Sequence, residues 1–410
     1  MDVVVERPAA LDVHKATVMA CVRLPGERGR RDEHIAEFTS TVQGLLALRD
    51  WLAAHEVTQV AMEATGVYWK PVWAILEEDF ECLLVNARHV KQVPGRKTDV
   101  SDAAWLCRLA EAGLLKASLV PPKPIRDLRD LSRYRKAQIR DRQREANRLH
   151  KIMQDTGIKL DSVASDLLGK SGRAMLDALV AGTTDPHVLA DLAQGQLRKK
   201  LPALREALEG RFSAKHALIV GQILAHIDFL DEAINRLSEA IEEQLGPFGQ
   251  AQVSLLCTIP GVQRRAAEVI VAETGADMTK FPTAGHLASW AGVCPGNDES
   301  AGKRRSGRTT KGSKWLRQTL TEAAKAAGRT RDSYLAAQYA RTRARRGVNR
   351  ATTAVAHSIL VAAWHMLRTG ETWTDPGADY YTQRDPERAT KRLVAQLERL
   401  GHTVILQEAT

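Results

Sequence analysis

The sequence predicts an α/β N-terminal domain built on a mixed sheet, followed by a long helical region and a mainly α-helical C-terminal domain. Three observations carry this. Strand-like and helix-like apolar patterns alternate through the first ninety residues. The run from Lys123 to Lys151 is free of glycine and has proline only at its start. Apolar residues then recur at spacings of three and four between Val220 and Ile241.

In chain order, strands are expected near Ala9–Val13, Ala16–Leu24 and Glu33–Thr39, then a helix at Val42–His55. A strand at Gln59–Glu63, a helix at Lys70–Leu76 and a strand at Cys82–Asn86 follow. The first two strands, joined by His14 and Lys15, form a hairpin. Strands separated by helices need crossovers and pair in parallel, so the sheet is mixed. From Lys123 to Lys151 eleven basic residues face four acidic ones, which gives one long helix that is either a solvated face or a nucleic-acid contact. Between Leu160 and Leu208 short helical patterns break at Gly182 and Pro186, and no chemistry is legible there. Val220, Ile223, Ile227, Leu230, Ile234, Leu237 and Ile241 form heptads, which suit a coiled coil between subunits or burial against the chain's own core. From Ser254 the chain is helical again, interrupted by a glycine-rich basic loop between Gly292 and Gly312 and ending in a polar tail. The expected domains are 8–118, 119–250, 251–372 and the tail 373–410.

At 410 residues the chain exceeds one typical core. With 59 Lys+Arg against 49 Asp+Glu, a net charge of +10 and a pI near 9.4, it suits a polyanionic partner, nucleic acid first. The five cysteines (Cys21, Cys82, Cys107, Cys257, Cys294) are scattered without a C-x-x-C pair, so neither a disulfide framework nor a zinc knuckle is indicated and a reducing cytoplasm is expected. No stretch is apolar enough for a membrane span. No phosphate-binding G-x-x-x-x-G-K-[ST] motif occurs, so no nucleotide cofactor is expected.

Asp12 ends the apolar strand Ala-Ala-Leu-Asp-Val, and Glu63 likewise ends Gln-Val-Ala-Met-Glu. Asp99 and Asp102 lie three apart at the start of a helix that continues through Trp105 and Leu109, on one helical face. Carboxylates gathered in this way suit hard divalent ions such as Mg²⁺, which act on phosphodiesters. Taken singly, Asp99 also reads as an N-cap, Asp102 as a favourable first-turn acid and Asp12 as a turn residue.

In the second half, Ile259-Pro260-Gly261 between two helical patterns fits a helix-hairpin-helix turn, which holds a phosphate on backbone amides, or an ordinary helix–helix turn. Gln263 stands where that motif commonly has a second glycine. Seven Lys or Arg and no acid lie between Ser300 and Arg317, with glycines that allow close backbone approach, as suits a phosphate backbone or a solvated loop. Ser289, Ser300, Ser306 and Ser313 offer hydroxyls, and the residues alone do not choose among them.

The segments L-D-V-H-K at 11–15, M-E-A-T-G-V-Y at 62–68 and K-T-D-V-S-D-A at 97–103 resemble those of the DEDD insertion-sequence transposases. The resemblance continues through I-P-G-V at 259–262, F-P-T-A-G-H-L-A-S-W-A-G-V-C-P at 281–295 and S-A-G-K-R-R-S-G-R-T-T-K-G-S-K-W-L-R at 300–317. It implies an RNase H-like (RuvC-like) N-terminal fold with Asp12, Glu63, Asp99 and Asp102 as ligands of a divalent metal, Mg²⁺. It implies Ser300 as nucleophile, although many relatives have serine directly followed by glycine and here Ala301 intervenes. It also implies donor and target DNA, a noncoding bridge RNA and assembly as dimers that join into tetramers.

On that basis the nucleic-acid contacts expected are Gly261, Lys303, Arg304, Arg305, Arg308 and Lys311, with Arg140, Arg144 and Arg148 of the basic helix on RNA and the heptads joining subunits. A magnesium-dependent, structure-selective nuclease that activates water is the alternative, followed by a non-catalytic nucleic-acid binder.

Overall fold

A computed structural model describes residues 3–64, 66–86, 90, 102–296, 298–307 and 309–407; for 298–300 and 304–306 it describes the backbone alone. The chain divides into two compact units, Met1–Pro121 and Pro122–Thr410.

The first unit is a five-stranded sheet of β1 (Pro8–Val13), β2 (Thr17–Pro25), β3 (Arg31–Thr39), β4 (Gln59–Glu63) and β5 (Glu81–Val85), with helices α1 (Val42–Ala54), α2 (Trp69–Leu76) and α3 (Asp102–Glu111). The strand order is β3-β2-β1-β4-β5. Short links make β1–β2 and β2–β3 antiparallel, whereas the helical crossovers make β1–β4 and β4–β5 parallel, giving the mixed sheet the sequence predicts. Alternate residues of the central strands serve two cores. Leu11, Val60 and Met62 pack on one face against Leu45, Leu48 and Leu52 of α1 and Leu76 of α2. Ala10, Cys21 and Ala61 line the other face, and their small side chains let α3 lie close through Ala103, Cys107 and Ala110.

The second unit begins with α4 (Lys123–Thr156), a single 34-residue helix with Pro124 in its first turn and capped by Gly157 in the left-handed region. Short helices α5 (Leu160–Val163), α6 (Lys170–Val180), α7 (Pro186–Asp191) and α8 (Leu201–Ala207) lead to α9 (Ala214–Leu256), which is kinked at Gly246-Pro247. Helices α4 and α9 run antiparallel. Pro124 lies by Gln244, Arg135 by Ser238, Arg142 by Asp231 and Glu145 by His226.

This pairing corrects the reading of the heptads as a joint between subunits. Val220, Ile227, Leu230, Ile234 and Ile241 are all buried inside the chain. Val220, Ile223 and Ile227 share a core with Leu149 and Met153 of α4. An apolar seam at this spacing is satisfied equally by a partner chain or by a helix of the same chain. Here α4 fills it.

Beyond α9 come α10 (Arg264–Thr274), α11 (Ala284–Trp290), the strands β6 (Asp298–Ser300) and β7 (Lys303–Ser306), and α12 (Lys314–Ala327), α13 (Tyr334–Arg346) and α14 (Val348–Thr369). The small buried residues Ala351, Ala356 and Ala363 of α14 allow the surrounding helices to pack closely about it. The Trp364 indole N–H donates to the Phe281 carbonyl at 3.0 Å, anchoring the segment that enters α11. The tail carries α15 (Tyr380–Gln383) and α16 (Pro386–Arg399); Tyr381 stacks on Tyr334, and Asp375 accepts from the Tyr334 amide. Among the described residues no helix is long and apolar enough to cross a membrane.

Candidate active site

Asp12 and Glu63 occupy matching positions at the C-terminal ends of neighbouring parallel strands. Leu11 lies opposite Met62, so the next residue on each strand is one of the two acids, about 5 Å apart at the strand spacing. Strand alternation puts both on the face of Ala10 and Ala61, which is the α3 face. Both side chains are half-buried.

Helix α3 runs opposite to β1. Its Cys107 thiol reaches the Pro8 carbonyl, and its Glu111 carbonyl accepts from the Val4 amide at 2.8 Å. The carboxylate of Glu111, held by Arg23 and Arg31, fixes that end of the helix. The N-terminal end of α3, which carries Asp102, therefore lies toward the C-terminal ends of β1 and β4. Asp99 lies outside the described residues. Among the described residues no three His, Cys, Asp or Glu side chains gather as a metal cluster.

The donor set fits a hard cation. Asp12 has His14 Nε2 at 3.2 Å from its Oδ2, and among the described residues neither Asp12 nor Glu63 is paired with a lysine or arginine. Two half-buried carboxylates side by side repel each other when both are charged, and a divalent ion relieves that repulsion.

In the second unit the glycine-rich segment contains a β-hairpin, where the sequence suggests only a loop. Strands of three and four residues without β-branched side chains leave no alternating pattern to read. Ser300 pairs with Lys303 beside the turn, and Ala301 (φ 50°) and Gly302 (φ 72°) both lie in the left-handed region, as a two-residue hairpin turn of this hand demands. Ser300 is thus the last strand residue before the turn. Lys303 and Lys311 are exposed, Arg304 and Arg305 lie on β7, and Arg308 is outside the described residues.

One rival hydroxyl is structurally committed: Ser313 Oγ caps α12 through the Leu316 amide and donates to Glu273 at 2.9 Å. The close backbone approach expected at Gly312 is made by the chain itself. A methyl group there would stand 2.2 Å from the Ala291 carbonyl carbon, because the two ends of the segment cross at Gly292 and Gly312. Gly261 (φ 84°) likewise presses on α12, where an added Cβ would stand 2.4 Å from the Ala327 nitrogen.

The basic helix α4 is largely engaged within the chain. Arg135, 3% exposed, pairs with the equally buried Glu268 at 2.6 Å. Arg133 forks onto Glu273 at 2.7 and 2.8 Å, and Arg129 takes the Ala272 and Glu273 carbonyls at the end of α10. Lys136 pairs with Glu322 and Arg142 with Asp231. Arg140, Arg144 and Arg148 remain exposed on one outward face at intervals of four. Arg140 lies over Trp315 and donates to Gln318, while among the described residues Arg144 and Arg148 pair only with Asp141 and Glu145 of their own helix.

The sequence reading missed a second basic feature. No Asp or Glu occurs between Asp332 and Glu371, a stretch that carries Arg341, Arg343, Arg345, Arg346, Arg350 and Arg368. The structure folds it into the α13–α14 corner, which borders a cleft beside the hairpin. The absence of acids was a legible signal, and its interruption by ordinary helical apolar residues hid it.

Residues 9–158 match a family model described as a transposase, of the DEDD, IS110 type. Residues 253–340 match one described as the transposase IS116/IS110/IS902 family. No curated protein matches the chain.

Proposed function

Because the chain belongs to the IS110 family of DEDD transposases, we propose that it cuts and rejoins DNA through a covalent bond to Ser300 and takes its target from a noncoding RNA. Membership of the family carries DNA as partner, DNA-cleaving transposition as activity and a divalent metal as requirement. The single observation that best supports the finer reading is the placement of Asp12 and Glu63 at adjacent strand ends, where among the described residues neither is paired with a lysine or arginine.

Asp12, Glu63, Asp99 and Asp102 are the proposed metal ligands, and Mg²⁺ the proposed ion. When bound, it supplies positive charge against the oxygens of the reacting phosphate. Ser300 Oγ then attacks phosphorus and gives up its proton. The Oγ–P bond forms as a P–O bond to deoxyribose breaks, and the departing oxygen takes up a proton. The phosphoserine diester keeps the bond energy, so a hydroxyl of a second strand can displace the serine without ATP. A weak nucleophile such as serine needs a positive field, which Lys303, Arg304 and Arg305 on the same hairpin would provide, with Arg308 and Lys311 following and Gly261 at the α9–α10 turn as a further backbone contact.

The proposed parts are 8–118 for the metal site, 119–250 for the helical connector, 251–372 for the serine domain and 373–410 for the tail. The protein is proposed to work in the cytoplasm as a dimer or tetramer.

Incubation with divalent ion, labelled element-junction DNA and transcript from the element's flanks, followed by denaturing electrophoresis, tests the chemistry. A labelled protein adduct is expected from the wild type and none from Ser300→Ala. Cut DNA without adduct, persisting in Ser300→Ala, would make the protein a water-using nuclease instead.

Arg140, Arg144 and Arg148 are the proposed RNA contact, because they are the exposed arginines of α4. Reversing all three to glutamate is expected to weaken RNA retention on a filter at least about 10-fold and to flatten its salt dependence. Unchanged retention would remove this helix from the RNA path.

A further inference from the structure

We propose that the cleft beside the Ser300 hairpin receives one unstacked nucleotide of the DNA strand being cut, with its phosphate on Arg346 and Arg350 and its base inside. The assignment to the cut strand rests on the reading of Ser300 as nucleophile; the pocket itself stands on independent geometry.

The cleft has a volume of about 690 Å³, within the usual range of about 300–1,000 Å³ for sites that enclose small molecules. One wall consists of Val293, Pro295, Gly307 and Thr309, which lead into and out of the hairpin and are tied by a Pro295–Thr309 bridge. The facing wall is a stripe of α14 at helical spacing: Arg350, Thr353, Ala354, His357 and Ser358.

Charge at the mouth favours phosphate. Arg346 ends α13 and Arg350 lies in the first turn of α14; both are exposed, and among the described residues neither has an ion pair. The arginines of α4 show that this chain pairs its guanidinium groups with carboxylates where it uses them structurally. No acid between Asp332 and Glu371 offsets the corner's charge. Helix α14 also begins at Gly347 and Val348 without a side-chain cap, leaving first-turn amides for an anion.

The interior suits a base instead of a second phosphate. Val293, Pro295 and Ala354 give apolar surface. Burial lowers the pKa of His357, so at neutral pH this ring offers hydrogen bonds without charge. Gln338 donates through Nε2 to Ser358 Oγ at 2.9 Å, while its Oε1 is buried with no donor. A buried acceptor without a partner is costly, and a base edge bearing N–H would satisfy it. The edges of stacked, paired bases cannot enter such a cleft, so the nucleotide must leave the stack.

The test is fluorescence anisotropy with the full chain in EDTA, so that no strand is cut. Three labelled DNAs are compared: a duplex, the same duplex with a one-nucleotide bulge, and that bulge made abasic. The bulged duplex is expected to bind at least about 10-fold tighter than the plain one, and the abasic bulge to lose most of the gain. R346A with R350A, both on the surface, should remove the bulge preference, and Ser300→Ala should keep it. Equal affinity for bulged and plain duplex would overturn the pocket, as would a preference indifferent to the base or to the two arginines. Failure of the serine reading would appear separately, as DNA cut without adduct, or as an adduct surviving Ser300→Ala, in the cleavage assay with divalent ion.

Discussion

Replacing Asp12 or Glu63 by alanine is expected to lower divalent-ion-dependent strand cleavage at least about 1,000-fold, with the fold intact. Glu63 ends its strand and Asp12 stands one residue before the end of its own; both are half-buried and carry none of the packing of the two sheet cores. Asp12→Ala gives up one contact, that with His14. Removing either acid relieves repulsion in the metal-free protein, so the melting temperature in EDTA should hold or rise slightly.

Divalent ion, by contrast, stabilises whichever form binds it, by RT ln(1 + [ion]/Kd). Added ion should raise the melting temperature of the wild type and leave both variants nearly unmoved. Calorimetry with and without the ion therefore reads the site independently of catalysis. A variant that cuts DNA at the wild-type rate, or gains the same thermal shift, would refute the assignment.

The largest loss of stability is expected from Glu268→Ala, about 3–5 kcal/mol in urea unfolding. Arg135 and Glu268 meet at 2.6 Å, each 3% exposed. Taking away the carboxylate leaves a guanidinium in the interior of the helical unit with, among the described residues, Ser238 Oγ at 3.3 Å as its remaining side-chain partner. Arg264, which also reaches Glu268 at 3.0 Å, is half-exposed and can return to water. Pairing Arg135→Met with Glu268→Leu removes both charges and should recover most of the loss, because an apolar pair avoids the desolvation penalty. If Glu268→Ala unfolds at the same urea concentration as the wild type, the pair is not the buried joint between α4 and α10.

Local pattern accounts for what was legible. Strand alternation around Asp12 and Glu63 follows from the side-chain period of two, so both their place at strand ends and their shared face can be read in short stretches of chain. Crossover length settles which strands are parallel. The long helix α4 follows from the absence of breakers after Pro124. The family resemblance rests on short motifs of the same local kind, and the two family matches bear it out.

The sequence by itself therefore determined the elements of the first unit, the long helix α4, the mixed sheet, the places of Asp12 and Glu63 on their strands, and the family. Tertiary structure alone decided what the charges and glycines are for. Eleven basic residues in α4 read as a free surface because their partners are far away in sequence: Glu268 follows Arg135 by 133 positions and Glu322 follows Lys136 by 186. The heptads of α9 close on α4, Ser313 caps a helix, Gly312 meets the chain's own backbone, and Arg346 and Arg350 come to the mouth of a cleft. Periodicity along a segment sets which side chains share a face, but the antiparallel register of α4 with α9 and the docking of α10 and α12 set what that face meets.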